Sequence, residues 1–454
     1  MTLRSPSGVM GTFLPVQGPA DLAVPPVCGV SPVTLRTIDA AVETWSTALS
    51  GMAEYWSAAI VERRTPADVA LDGLRWWQLI ADRRPPQWAS RHRIVRRTPL
   101  TRLRDFTPAR PADVLPTLVL PPQAGHDSCI VDYSTSQSQM QTILAAGLER
   151  LYALDWIGVT QETKDATIAD YLAEVHAAVQ QAGNGGRVNL VGDCQGGWLA
   201  TIYAALHPER VNTLTIAGAP IDFHAGGAVI HESVQTLSDE NLSFFRALVA
   251  HGNGVLKGEY LLGGFIVIRP ENEVGKQLQL LANVRDPRHV ERYRAFEDWF
   301  KHTQDIAGPF YLWLVEHLFR DNELIGGALR IGEKTVDLGR IDCPVNLLAG
   351  ATDHITPPDQ VFALAGAVST PAERITRRTT SGGHLGLFMG TEALRDHWPV
   401  VMAAVLEHSR PRPNGAPARR RARSRTAHSG ALGPAQPCRR RERGAGRACA
   451  TNAR

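Results

Sequence analysis

No apolar run in this chain of 454 residues reaches the roughly 18 residues that a membrane-spanning helix needs, so no transmembrane segment is expected. Cysteine is sparse. Cys28, Cys129, Cys194, Cys343, Cys438 and Cys449 are scattered and form no CxxC pair. That excludes a disulfide framework and offers no zinc site. The opening stretch MTLRSPSGVMGTFLPVQGPADLAVPPV lacks the continuous apolar centre of a signal peptide, and the expected location is cytoplasmic. Composition excludes little else: 44% hydrophobic and 20% charged residues are ordinary for a globular protein.

Charge is unevenly spread. From Arg410 to Arg454 there are 13 arginines, no lysine and one acid, Glu442, so this tail carries +12 against a chain total of +3. The other 409 residues carry −9. The tail has no apolar periodicity and is expected to be disordered over 409–454. Its arginines are not interleaved with stacking aromatics, so no nucleic acid is expected as a partner.

What is present is periodicity. Residues 1–30 read as a flexible arm. Ser31-Pro32 offers a helix start, and Leu35, Ile38, Val42, Trp45, Leu49, Met52 and Trp56 follow at spacings of three and four. That stripe is expected to pack against the main domain, or to serve as a dimer helix or a contact with a hydrophobic surface. A second helix is expected over Pro66–Ile80, making 31–110 an N-terminal helical region. From residue 111 to 408, strand and helix patterns alternate, which predicts a mostly parallel sheet covered by helices on both faces. The alternation lapses over about 220–339. That segment reads as a helical cap, its aromatics forming either ordinary core or the wall of an acyl channel.

Chemistry concentrates in Val188–Ala200, VNLVGDCQGGWLA. A β-branched run enters a G-x-C-x-G turn and leaves as a helix. A nucleophile raised on such a strand-to-helix turn needs small neighbours so that the backbones can pass. The turn also aims the amide of Gln195 and the helix N-terminus at an attacked carbonyl oxygen. An acid and a histidine should follow in that order. Asp353 lies just past the strand of CPVNLLAGATDHITPPD, and His384 ends the glycine-flanked SGGH before the last helix. The expected catalytic residues are Cys194, Asp353 and His384. His354 and His126 are the competing bases, Asp337 and Asp342 the competing acids.

The runs VNLVGDCQGGWLATIYAALHPERVNTLTIAGAPIDF, YLWLVEHLFRDNELIGGALRIGEKTVDLGRIDCPVNLLAGATDHITPP and SGGHLGLFMG resemble the polyhydroxyalkanoate synthases and the related intracellular polyhydroxybutyrate depolymerases. The resemblance runs from about Pro116 to His408. It implies an α/β-hydrolase fold with a helical cap insertion, a thioester on Cys194, and a 3-hydroxyacyl-CoA or polyester substrate. It also implies no cofactor beyond acyl-CoA as substrate, a homodimer or partner subunit, and a place in the cytoplasm or at a polyester granule surface. The loop PPQAGHDS departs from the synthase pattern and is closer to the depolymerases. It supplies the second oxyanion amide, taken to be Ala124. Transfer to a hydroxyl, hydrolysis by water, and a non-catalytic granule or partner subunit are the three readings this leaves.

Overall fold

A computed structural model describes residues 32–410. The arm 1–30 and nearly all of the tail 409–454 lie outside the described residues.

Eight strands form the central sheet: β1 (Arg93–Arg97), β2 (Thr101–Asp105), β3 (Thr117–Leu120), β4 (Leu151–Trp156), β5 (Val188–Asp193), β6 (Val211–Ala217), β7 (Val345–Gly350) and β8 (Ile375–Thr380). Their order across the sheet is β1-β2-β4-β3-β5-β6-β7-β8. The β1–β2 and β2–β4 pairings are antiparallel and all others parallel. β3, β5 and β7 are buried at every position, as expected of strands with helices on both faces. This order, with its crossover between β3 and β4 and its nucleophile turn after β5, is the α/β-hydrolase fold.

The crossover helices are α3 (Gln139–Ala145), α4 (Ile168–Gly183) and α5 (Gln195–Leu206). α4 shows why the chain starts and stops where it does. Thr167 and Asp170 form a capping box, and Asn184 ends the helix in a left-handed conformation at φ 47°. Two apolar layers result. Tyr171, Trp198 and Phe310 anchor one, and Met140, Phe388 and Trp398 the other.

The expected boundary at residue 111 is corrected. Residues 31–110 are not all helical: β1 and β2 form a hairpin at the sheet edge. The alternation in TRLRD carries arginines outward and Leu103 inward, fully buried. Arg102 and Arg104 both reach Asp155 on β4, at 3.2 and 2.7 Å. β1 is the edge strand and β2 lies between β1 and β4, so these arginines guard no edge, but charge at alternate positions masks the strand signal.

The long helix α1 (Pro32–Val61) and α2 (Pro66–Ala81) precede the sheet. The expectation that the α1 stripe packs on the body is also corrected: Val42, Trp45 and Leu49 are 62%, 71% and 69% exposed, and Met52 and Trp56 face outward too. α1 lies instead on a cap helix through small residues. A Cβ on Gly51 would meet Leu278 Cβ at 2.6 Å, and one on Gly275 would meet Thr47 at 3.0 Å. Such close approach selects the small-residue face and turns the large residues away. Of the tryptophans on α2, Trp76 donates to the Gln277 carbonyl at 2.8 Å, and Trp77 is exposed.

Between β6 and β7 the chain forms α6 (Val229–Leu237), α7 (Ser243–His251), α8 (Gly258–Ile268), α9 (Pro270–Ala282), α10 (Pro287–Phe300) and α11 (Gly308–Trp313). α11 runs on into a wider π turn over Leu314–Arg320. π turns are uncommon and occur often beside functional sites. Among the described residues no helix is long and apolar enough to cross a membrane.

Candidate active site

The parallel strands end on one edge, and the site is assembled there from four of those ends. Cys194 follows β5 with φ 50° and ψ −117°, a strained conformation for any L-residue. Its amide donates to Ala217 of β6 at 2.8 Å, and its carbonyl accepts from Gly197 at 2.9 Å. The glycines make the turn possible. A Cβ on Gly196 would lie 1.9 Å from the Leu120 carbonyl oxygen, and one on Gly197 2.3 Å from Ala219 Cβ.

Asp353 follows β7 and His384 follows β8. His384 Nδ1 lies 2.7 Å from Asp353 Oδ2. The other carboxylate oxygen accepts from the amides of Ile355 and Thr356, each at 2.9 Å. Both side chains are buried. Burial alone would lower the imidazole pKa. The Asp353 carboxylate and the nearby Cys194 sulfur outweigh it and hold His384 well above the usual histidine range. The ring is therefore poised to carry a proton opposite the sulfur.

The competing residues do not take part in the His384–Asp353 pair. His354 lines the cavity, but burial and Arg269 lower its pKa. Asp337 accepts from the Gly339 amide at 2.9 Å and caps a short turn. Asp342 is exposed. His126 has its ring nitrogens 3.1 Å from the Ala124 carbonyl oxygen and 3.0 Å from that of Phe300. Burial pushes its pKa down to about 4, so it is neutral, and either tautomer donates to one of those carbonyls.

His126 has a role that the sequence did not show. Its ring stacks on Trp299 and Phe300 of α10, with centroids 4.9 and 5.5 Å away. Around it, Trp299 donates to the Asp127 carbonyl at 2.8 Å, and the Gln304 amide donates to the Gly125 carbonyl at 2.8 Å. Gly125, at φ 81°, lets the loop turn sharply beside Ala124. The cap thus stitches down the loop that carries Ala124. The partners lie some 170 residues downstream, so no local pattern could reveal the contact.

Cys194, Gln195, Ala124 and His384 open onto one cavity of about 450 Å³. Its walls are mostly apolar and come largely from the cap: Leu261, Phe265, Phe300, Tyr311, Leu314 and Phe319 among them. Of the cap aromatics, these line the cavity, whereas Phe245 and Tyr293 belong to separate small cores. Among the described residues no cluster of His, Cys, Asp and Glu is arranged to hold a metal ion. The arrangement can place a nucleophile, a proton carrier with its orienting carboxylate, and backbone amides around one acyl carbonyl.

Several known proteins are similar to this chain. The Poly(3-hydroxyalkanoate) polymerase subunit PhaC of Thiocystis violacea is 28% identical over 292 residues, covering 62% of this chain and 78% of that protein. The protein of the same name from Haloferax mediterranei is 30% identical over 286 residues, covering 62% of this chain and 56% of its own. A solved monoacylglycerol lipase of Paleococcus ferrophilus aligns with a TM-score of 0.43 and 15% identity, over 68% of this chain and 99% of that one. A family described as "Protein of unknown function (DUF3141)" matches residues 100–405. The chain, built on the α/β-hydrolase fold, belongs to that family.

Proposed function

We propose that this protein is an acyltransferase of the polyhydroxyalkanoate polymerase type, an enzyme acting on ester and thioester bonds. The observation that carries the reading is the cysteine at the elbow, facing an apolar cavity lined largely by the cap, with the His384–Asp353 pair at 2.7 Å behind it. His384 takes the Cys194 proton, and Asp353 fixes the tautomer and stabilises the imidazolium. The amides of Gln195 and Ala124 receive the oxyanion. The 3-hydroxyacyl group of an acyl-CoA passes to Cys194, CoA leaves as a thiol, and a hydroxyl acceptor takes the acyl group from the thioester. A mostly apolar cavity admits water less readily than a polar one, which favours that acceptor over hydrolysis.

Purified protein given 3-hydroxybutyryl-CoA is expected to release CoA and accumulate oligomeric or polymeric ester. Free 3-hydroxybutyrate as the main product would instead make it a hydrolase on the same residues. No CoA release with any 3-hydroxyacyl-CoA, alone or with a partner subunit, would overturn the reading.

The same reading places the protein at the surface of its polyester product. The outward stripe of α1 supplies an apolar face for that contact, with Trp45 71% and Trp56 47% exposed. Trp45→Ser combined with Trp56→Ser is expected to lower co-sedimentation with polyester granules several-fold and leave thermal stability unchanged. Equal sedimentation of variant and parent would dismiss this face.

A further inference from the structure

Asp193, the residue before the nucleophile, is fully buried, and so is Gln139 at the start of α3. Gln139 Nε2 donates to Asp193 Oδ1 at 3.3 Å. The other two oxygens of the pair, Asp193 Oδ2 and Gln139 Oε1, are buried with no hydrogen-bond partner. Two orphaned acceptors within one pair of side chains are a costly arrangement, because each has lost its water and gained no donor. A single proton removes both defects. Placed on Oδ2, it gives the carboxyl a donor and gives Gln139 Oε1 something to accept.

We propose that Asp193 is a neutral carboxylic acid closed into a doubly hydrogen-bonded pair with Gln139, and that this pair is a positioning device for Cys194. It ties the end of β5, where the elbow begins, to the first turn of α3. It also keeps a negative charge from the residue adjoining the sulfur.

The surroundings agree. Burial raises the Asp193 pKa to about 8, against the opposing influence of Gln139 and His384. Apart from Cys194, its neighbour in the chain, His384 is the titratable group that acts on it. No lysine or arginine does so among the described residues. Above about pH 8 the carboxyl ionises. Oδ2 and Gln139 Oε1 then repel, and the new anion opposes formation of the Cys194 thiolate. The stability consequence has a definite sign. A carboxyl whose pKa is raised by folding binds a proton in the native state that the unfolded chain has already lost. Stability therefore falls as pH rises from the ordinary carboxyl pKa, about 3.9, to about 8, and then levels off.

The inference rests on Cys194 as the reactive thiol, yet its test needs no acyl substrate. Wild type and Asp193→Asn are alkylated with iodoacetamide across the neutral and alkaline range, and the Cys194 peptide is quantified by mass spectrometry. Asparagine is a neutral isostere that offers Gln139 one donor and one acceptor in the same places. Expected are a wild-type rate profile with an inflection near pH 8, its loss in Asp193→Asn, and about tenfold faster alkylation of the variant above it, one pKa unit of thiol shift. Melting temperatures of the two proteins should diverge in favour of asparagine as pH rises toward 8.

Superimposable profiles and parallel melting curves overturn the proposal. So does failure of Asp193→Asn to fold, because a neutral partner for Gln139 must be tolerated. A failed acyl-transfer assay beside a normal alkylation result would count against the proposed reaction and not against Asp193.

Discussion

On the proposed mechanism, Cys194→Ala is expected to lower CoA release from the acyl substrate by on the order of 10⁵-fold or more, the scale on which removing a covalent nucleophile acts. The fold survives. Alanine keeps the same Cβ at φ 50°, so the backbone strain is unchanged. The deleted sulfur borders an existing cavity, so no new closed void forms. Stability should move by about 1 kcal/mol or less. Asp353→Asn is the companion variant. It keeps the shape of the side chain but presents its own N–H to His384 Nδ1 or leaves the imidazole in the wrong tautomer, at a cost of about 10⁴-fold in turnover. Two measurements check the pair: CoA release, and the intact mass of protein quenched during turnover. The parent and Asp353→Asn should carry an acyl adduct, the latter slowly, and Cys194→Ala none. A Cys194→Ala protein within tenfold of parental activity would refute covalent catalysis at this position.

Gly196→Ala is expected to unfold the protein or to cost about 3–5 kcal/mol. The new methyl would sit 1.9 Å from the Leu120 carbonyl oxygen and 2.8 Å from that of Pro121. Both belong to backbone, which cannot swing aside as a side chain can. Relief would require α5 to move away from β3, and the elbow with it. Gly264→Ala is the control. A Cβ there meets nothing within 4 Å and lies inside α8, so alanine should be neutral or stabilise by about 0.5–1 kcal/mol. Denaturant midpoints of the two variants decide the matter. A Gly196→Ala protein as stable as the parent would mean the turn is looser than the structure has it.

The sheet was legible where burial dictates sequence. β5 and β7 are short apolar runs because both their faces are covered. β1 and β2 carry little strand signal because arginine fills most of β1 and the less buried positions of β2, leaving Leu103 of β2 as the main apolar inward sign. Cys194, Asp353 and His384 each carry a local mark: small residues around a turn, an acid just past a strand, glycines before a histidine. Contacts between distant segments carry none. Asp193 and Gln139 are 54 residues apart, and each alone is an ordinary polar residue. The α1 stripe misled for a further reason. Its spacing of three and four shows which residues share a face, but not which face is buried. That was settled by Gly51 and Thr47, whose small size permits a closer helix contact than tryptophan could.

The stitching of the His126 loop to α10 has a mechanical consequence. Ala124 does not belong to the sheet alone. Its neighbours Gly125, His126 and Asp127 are all fastened to residues 299–304. A lid that swung aside would either break those fastenings or drag Ala124 along. In both cases the amide proposed to receive the oxyanion would leave its place as water arrived. On the proposed reaction, the thioester would be least reactive when it is most exposed, an interlock that would protect the carried acyl group during any opening needed for chain passage.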